Sequence, residues 1–137
     1  ASAVDYCLAT KHAAVKLSEL AVGIGPFVVG PAVERKIGMS AMSQLAINAT
    51  EWKSADWARE KGLYADIYET AEELDEAVDT LANKLANSNP DAMRMLKNIF
   101  WEGTEKWDNL LKVRAAMSGE LVLSDFTVNA INAFKKK

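Results

Sequence analysis

The chain is poor in the residues that form cross-links and metal sites. Its 137 residues include a single cysteine, Cys7, and a single histidine, His12. One cysteine excludes a disulfide within the chain, and this composition suits a reducing compartment such as the cytoplasm. One histidine and one cysteine without ligand spacing around them predict no metal site. His12 is expected to be an exposed turn residue.

Long hydrophobic runs and basic stripes are also missing. The longest nearly uncharged apolar stretch, residues 20–32, contains three glycines and two prolines. It is too short and too interrupted for a membrane span. The net charge is −3, and the only basic run is Lys135-Lys136-Lys137 at the end. Without a basic surface that interleaves with aromatic residues, nucleic acid is not an expected partner.

The remaining pattern predicts a mostly helical chain with a short β portion at its front. Residues 3–8 and 13–17 are expected to be short extended segments. A loop rich in glycine and proline follows, and a helix is expected from Pro26 or Pro31 to Gly38. Five later residues are predicted to be helix N-caps: Ser40, Ser54, Thr70, Asn89 and Ser124.

The helix after Thr70 is the most clearly predicted element. Thr70 and Glu73 have the spacing of a capping box, in which the Thr hydroxyl accepts from the Glu73 amide and the Glu73 carboxylate reaches back to the Thr70 amide. Apolar residues then recur at helical spacing as far as Leu85. The acidic residues around them predict a solvated face.

Glu19 is the carboxylate with the most unusual neighbours in the sequence. No other ionisable side chain occurs between Leu20 and Val33. Apolar surroundings disfavour the charged form of a carboxyl group, which suits it to donating and accepting protons. The alternative is an exposed glutamate at the end of a strand, and composition alone favours that alternative.

An ordered set of short motifs runs through nearly the whole chain. They are Asp5-Tyr6 with Ala9, the segment from Val15 through Glu19 and Gly23 to Pro26, Arg35-Lys36-Ile37-Gly38, Ala55 to Tyr64, Asn89-Pro90, Lys97 and Ala133-Phe134. This set resembles the enoyl-CoA hydratase/isomerase (crotonase) family. Residues 24–27 and 101–123 are similar to methylglutaconyl-CoA hydratase-like members.

The resemblance implies a fold and a domain organisation. Residues 1–38 would be the end of the family's ββα spiral, and residues 39–137 its helical region, through which such proteins form trimers or dimers of trimers. The glycines of the oxyanion hole and the first catalytic glutamate would lie before Ala1. The chain alone is therefore expected to be inactive. The substrate would be an acyl-CoA, and no cofactor is expected.

The resemblance also assigns roles to four residues. Glu19 matches a catalytic glutamate that exchanges a proton with the α-carbon of the acyl chain. In hydratases this glutamate works together with a second glutamate, and in isomerases it can transfer the proton alone. Pro26 matches a proline whose following residue, Phe27 here, supplies a backbone amide near the catalytic water. Lys137 matches a lysine that approaches the CoA phosphates, although a frayed tail is an equal alternative. Two other functions stay open: a non-catalytic helical oligomerisation module and an unrelated helical interaction domain.

Overall fold

The computed structural model describes residues 1–134. Its elements are β1 (Leu8–Thr10), β2 (Ala14–Val15), a 3₁₀ helix (Glu19–Val22), α1 (Gly30–Ile47), β3 (Lys53–Ser54), α2 (Ala55–Glu60), β4 (Asp66–Tyr68), α3 (Ala71–Ala86), α4 (Pro90–Phe100), α5 (Trp107–Val122) and α6 (Asp125–Phe134). This order confirms a mostly helical chain with a short β portion, although β3 and β4 lie at residues 53–68 and not at the front of the chain.

The strands form two small ladders, each of which pairs a strand near the start of the chain with one between residues 53 and 68. β1 pairs in parallel with β4, with Leu8 opposite Asp66, and β2 pairs antiparallel with β3, with Ala14 opposite Ser54. The extended segments predicted at 3–8 and 13–17 were therefore wrong in their bounds. A strand exists only where a partner supplies hydrogen bonds, and neither partner strand is longer than three residues.

α1 starts at Gly30-Pro31 and consists of two helical segments that meet at Gly38. At Gly38 the backbone leaves helical geometry, with φ 75° and ψ 161°, and the helix resumes on the other side. Only glycine adopts this region readily. The predicted end of the first helical segment at Gly38 is therefore confirmed. The second segment begins directly after Gly38, close to the start predicted at Ser40, and ends at Ile47.

The other predicted N-caps are confirmed by hydrogen bonds. Ser54, Asn89 and Ser124 each accept from a backbone amide in the first turn of the helix that follows. Thr70 Oγ1 accepts from the Glu73 amide at 3.1 Å. The return bond differs from the prediction, because Glu73 Oε2 accepts from the Glu69 amide at 3.0 Å. The ladder between β1 and β4 ends at Tyr68, so the next amide is available to the helix.

The core lies where α2 packs on the two ladders. Its buried residues are Ala9, Ala55, Ala58, Leu63 and Tyr64. Alanines let the backbones approach closely, and burial raises the pKa of the Tyr64 hydroxyl. By contrast, every residue of α4 is exposed.

Candidate functional site

Glu19 is the first residue of the 3₁₀ helix that follows β2. Gly23 closes this short helix with a left-handed backbone, at φ 85°. The Ile24 amide donates to the Glu19 carbonyl at 3.0 Å, and the Gly23 amide donates to the Leu20 carbonyl at 3.1 Å. Left-handed glycines end many helices in this way. The residues after the turn therefore hold the backbone of Glu19 in place.

The side chain of Glu19 is partly buried. Its Oε2 atom is shielded from solvent and has no hydrogen-bond partner among the described residues. A buried carboxylate oxygen without a donor is uncommon in folded proteins and calls for an explanation such as a catalytic role. Such an oxygen is available to form a hydrogen bond with a bound molecule.

Pro26 and Phe27 lie on the same loop as Glu19, between the 3₁₀ helix and α1. The Phe27 amide donates to the Gly25 carbonyl at 2.7 Å, and the Pro26 carbonyl accepts from the Gly30 amide at 2.9 Å. The Phe27 ring lies against Gly25, where a Cβ atom could not fit. The amide of Phe27 is thus already bonded within the chain, and its aromatic ring is the part of this residue that remains available to a ligand.

The last helix of the structure packs on the turn that carries Glu19. Ser124, at the N-cap of α6, places Thr127 in the first turn, and Thr127 is fully buried beside Gly23. This contact was not predicted from the sequence. The sequence offers one signal, a glycine suited to a left-handed backbone, and a glycine does not indicate which distant helix packs on it.

Lys137, the remaining predicted site residue, lies outside the described residues. His12 is exposed in the turn between β1 and β2, as predicted. Within residues 1–134, no group of three or more His, Cys, Asp or Glu side chains could hold a metal ion. In the same part of the chain, no helix is both long and apolar enough to cross a membrane.

Asp5 is the centre of a polar cluster that was not predicted from the sequence. Lys97 Nζ donates to Asp5 Oδ2 and Trp101 Nε1 donates to Asp5 Oδ1, each at 2.6 Å. The hydrogen bond from Lys97 is the main reason why the pKa of Asp5 is lowered. The Arg35 guanidinium lies 4.2 Å from the centre of the Trp101 ring. This cluster joins the first residues of the chain to α1 and α4.

Residues 1–136 match the family model of enoyl-CoA hydratase/isomerase. A match over this share of the chain shows that the chain belongs to the enoyl-CoA hydratase/isomerase family. No curated protein matches the chain.

Solved structures of enoyl-CoA hydratases share the fold. A hydratase from Mycobacterium avium superposes with a TM-score of 0.88 at 24% identity, over 98% of this chain and 53% of that one. A hydratase from Bacillus halodurans gives 0.86 at 20% identity, over 96% and 53%. An enoyl-CoA hydratase/isomerase from Pseudoalteromonas atlantica gives 0.85 at 20% identity, over 96% and 53%. The chain thus spans about half the length of the structures it matches.

Proposed function

We propose that the chain supplies a carbon acid/base, Glu19, to an acyl-CoA hydratase or isomerase. Membership of the family supports the reaction class. The observation that supports Glu19 as this residue is its sheltered Oε2 atom, which has no hydrogen-bond partner in residues 1–134. Because the chain spans about half the length of the solved structures, we propose the activity for the protein at its full natural length.

In the hydration reaction, protonated Glu19 donates its proton to the α-carbon of an enoyl thioester. The oxygen of a water molecule bonds to the β-carbon, and the proton that water loses goes to a second base. In the isomerisation reaction, Glu19 removes a proton from the α-carbon and returns it to the γ-carbon. A positioned acid/base group contributes about 10²–10⁴-fold to such steps.

The loop after Glu19 provides the proposed acyl site. We propose that Pro26 and Phe27 line it, with Phe27 acting through its ring because its amide is bonded to Gly25. Lys137 is proposed to meet the CoA phosphates. The finer proposals are a methylglutaconyl-type acyl group, a cytoplasmic location and a trimer or a dimer of trimers. The similarity of residues 24–27 and 101–123 to methylglutaconyl-CoA hydratase-like members supports the acyl group.

The test is Glu19→Gln in the protein at its full natural length. Glutamine preserves the size of the side chain but cannot transfer the proton, so turnover of a short enoyl-CoA is expected to fall at least about a hundredfold. Binding of the acyl-CoA is expected to persist. Glu76→Gln on α3 is the control, because Glu76 is exposed on another element. A Glu19→Gln variant that keeps more than about half of wild-type turnover removes Glu19 from the mechanism.

A second candidate function is a helical association module without catalysis. The observation in its favour is the exposed apolar surface of α4, where Met95 and Ile99 are each 57% exposed. Contiguous exposed apolar surface marks interaction sites. Turnover that depends on Glu19 would separate the two candidates, because a module without catalysis has no use for the carboxyl group.

A further inference from the structure

Thr127 is the one polar or charged residue that is buried among the described residues. Its exposed fraction is 0%. The amide of Thr127 donates to Ser124 Oγ at 3.3 Å, and the two hydroxyl oxygens lie 3.2 Å apart. Ser124 Oγ also donates to the Leu121 carbonyl at 2.7 Å. The Thr127 side chain is therefore fully packed and held in one orientation at the start of α6.

Two side chains of α6, those of Phe126 and Thr127, pack against Gly23. A Cβ atom at Gly23 would lie 2.6 Å from Thr127 Oγ1 and 2.5 Å from Phe126 Cδ1. Real Cβ atoms do not approach other atoms so closely, so the glycine permits the contact. Phe126 is 68% exposed and its ring is free to move aside. Thr127 is enclosed, so it is the side chain that fixes the distance between α6 and the turn.

Gly23 is in turn bonded to the residues that hold Glu19. Its amide closes the 3₁₀ helix, and the next amide, that of Ile24, bonds to the Glu19 carbonyl. Displacement of Gly23 would therefore move the backbone of Glu19 as well. The Oε2 atom of Glu19 is sheltered and has no hydrogen bond to any residue of the described range 1–134, so packing rather than bonding sets its position there.

We propose that Thr127 is a positioning residue for Glu19. Its buried side chain supports Gly23 and keeps the 3₁₀ helix at the depth where the Glu19 carboxyl meets the substrate. This inference rests on the proposed function for its catalytic consequence, but the support of the turn can be measured without any reaction. The support is steric, because Oγ1 is the atom that contacts Gly23 and the Thr127 hydroxyl bonds elsewhere, to Ser124.

Amide hydrogen exchange of the chain tests the support itself. Thr127→Ala removes the packed atoms, and exchange at Gly23 and Ile24 is expected to rise at least about tenfold relative to exchange in α3. Thr127→Val keeps the shape, and exchange is expected to stay within about threefold of wild type. An equal rise of the exchange rates in α3 after Thr127→Ala would mean general loosening and would overturn the proposal. Equal effects of Thr127→Ala and Thr127→Val on exchange at Gly23 and Ile24 would also overturn it.

Kinetics of the protein at its full natural length test the consequence for Glu19. Thr127→Ala is expected to lower kcat at least about tenfold with KM within about twofold, because small displacements of an acid/base group are costly. Thr127→Val is expected to recover most of kcat, and Thr80→Ala on the exposed side of α3 is the control. If Glu19→Gln removes activity but Thr127→Ala leaves kcat unchanged, the positioning role is wrong. If Thr127→Ala loosens the turn but Glu19→Gln stays active, the proposed function is wrong.

Discussion

Asp5 accepts two hydrogen bonds through its carboxylate, one from Lys97 and one from the indole of Trp101. The lysine also lies 4.5 Å from the centre of the Trp101 ring. Lys36 Nζ donates to the carbonyl oxygens of Val4 and Asp5, at 3.1 and 2.7 Å. A short segment that precedes β1 is thus joined to α1 and α4 by hydrogen bonds from two lysine side chains.

We expect Asp5→Asn to lower the free energy of unfolding near neutral pH by about 1 kcal/mol. The pair is partly in water, which keeps the effect modest. Because the folded-state pKa of Asp5 is lowered, its contribution is present above the unfolded value and is lost as pH falls through the folded value. Urea unfolding at about pH 7 and again below about pH 3 checks this. The difference in the free energy of unfolding between wild type and variant should be smaller in acid.

The control for Asp5→Asn is Asp79→Asn. Asp79 is exposed on α3, and the structure gives it no hydrogen bond within the described residues. Asp79→Asn should therefore change the free energy of unfolding little at either pH. A difference between wild type and Asp5→Asn that stays constant with pH would show that the charge of Asp5 is not what stabilises the fold.

Residue-scale features were only partly predictable from the sequence. The apolar surroundings of Glu19 follow from its immediate neighbours, so its candidacy could be stated from the sequence. Thr127 and Lys97 act on partners far away along the chain, and no local pattern indicates such contacts. The pairing of Asp5 with Lys97 depends on where α4 lies, although both residues were among those that carry the family resemblance.

At the scale of elements, helices were predicted better than strands. The caps at Ser54, Thr70 and Asn89 use side chains that bond to amides two or three residues away, so local sequence contains the whole signal. β1 and β2 depend on partners that arrive later in the chain. Their bounds were therefore wrong even though their existence was predicted.

The break in α1 gives a prediction about glycine. Gly38 has φ 75° and open space around the position of a Cβ atom, so Gly38→Ala would meet backbone strain without a clash. We expect it to destabilise the chain by about 1–3 kcal/mol. Gly119 lies within α5 and also has open space around it. Gly119→Ala should stabilise by about 0.5–1 kcal/mol, because alanine is the better helix former.

Thermal or urea unfolding of the two glycine variants checks this directly. The chemical change is the same at both positions, so a difference in sign isolates the backbone conformation. If both variants stabilise the chain, the backbone at Gly38 is helical and α1 has no break.

At the scale of the whole molecule, the helical region leaves a large apolar surface exposed. No residue of α3, α4 or α5 is buried. A cavity of about 610 Å³ lies between α3 and α4, and its apolar lining includes Leu81, Leu85, Met93, Leu96 and Phe100. Helices with apolar faces are stable in water when another surface covers those faces. Another part of the protein or a second copy of the chain is expected to cover them.

We expect the chain to associate with itself through α4. Met95 and Ile99 are each 57% exposed, and a buried side chain of this kind contributes about 1.5–3 kcal/mol. Lysine at both positions should therefore weaken association more than about tenfold. Sedimentation velocity over about a hundredfold range of concentration measures this, and Met39→Lys, at an exposed methionine of α1, is the control.

A wild-type chain that stays folded and monomeric at the highest concentration would contradict the prediction. Equal effects of the α4 and α1 changes would place the contact elsewhere.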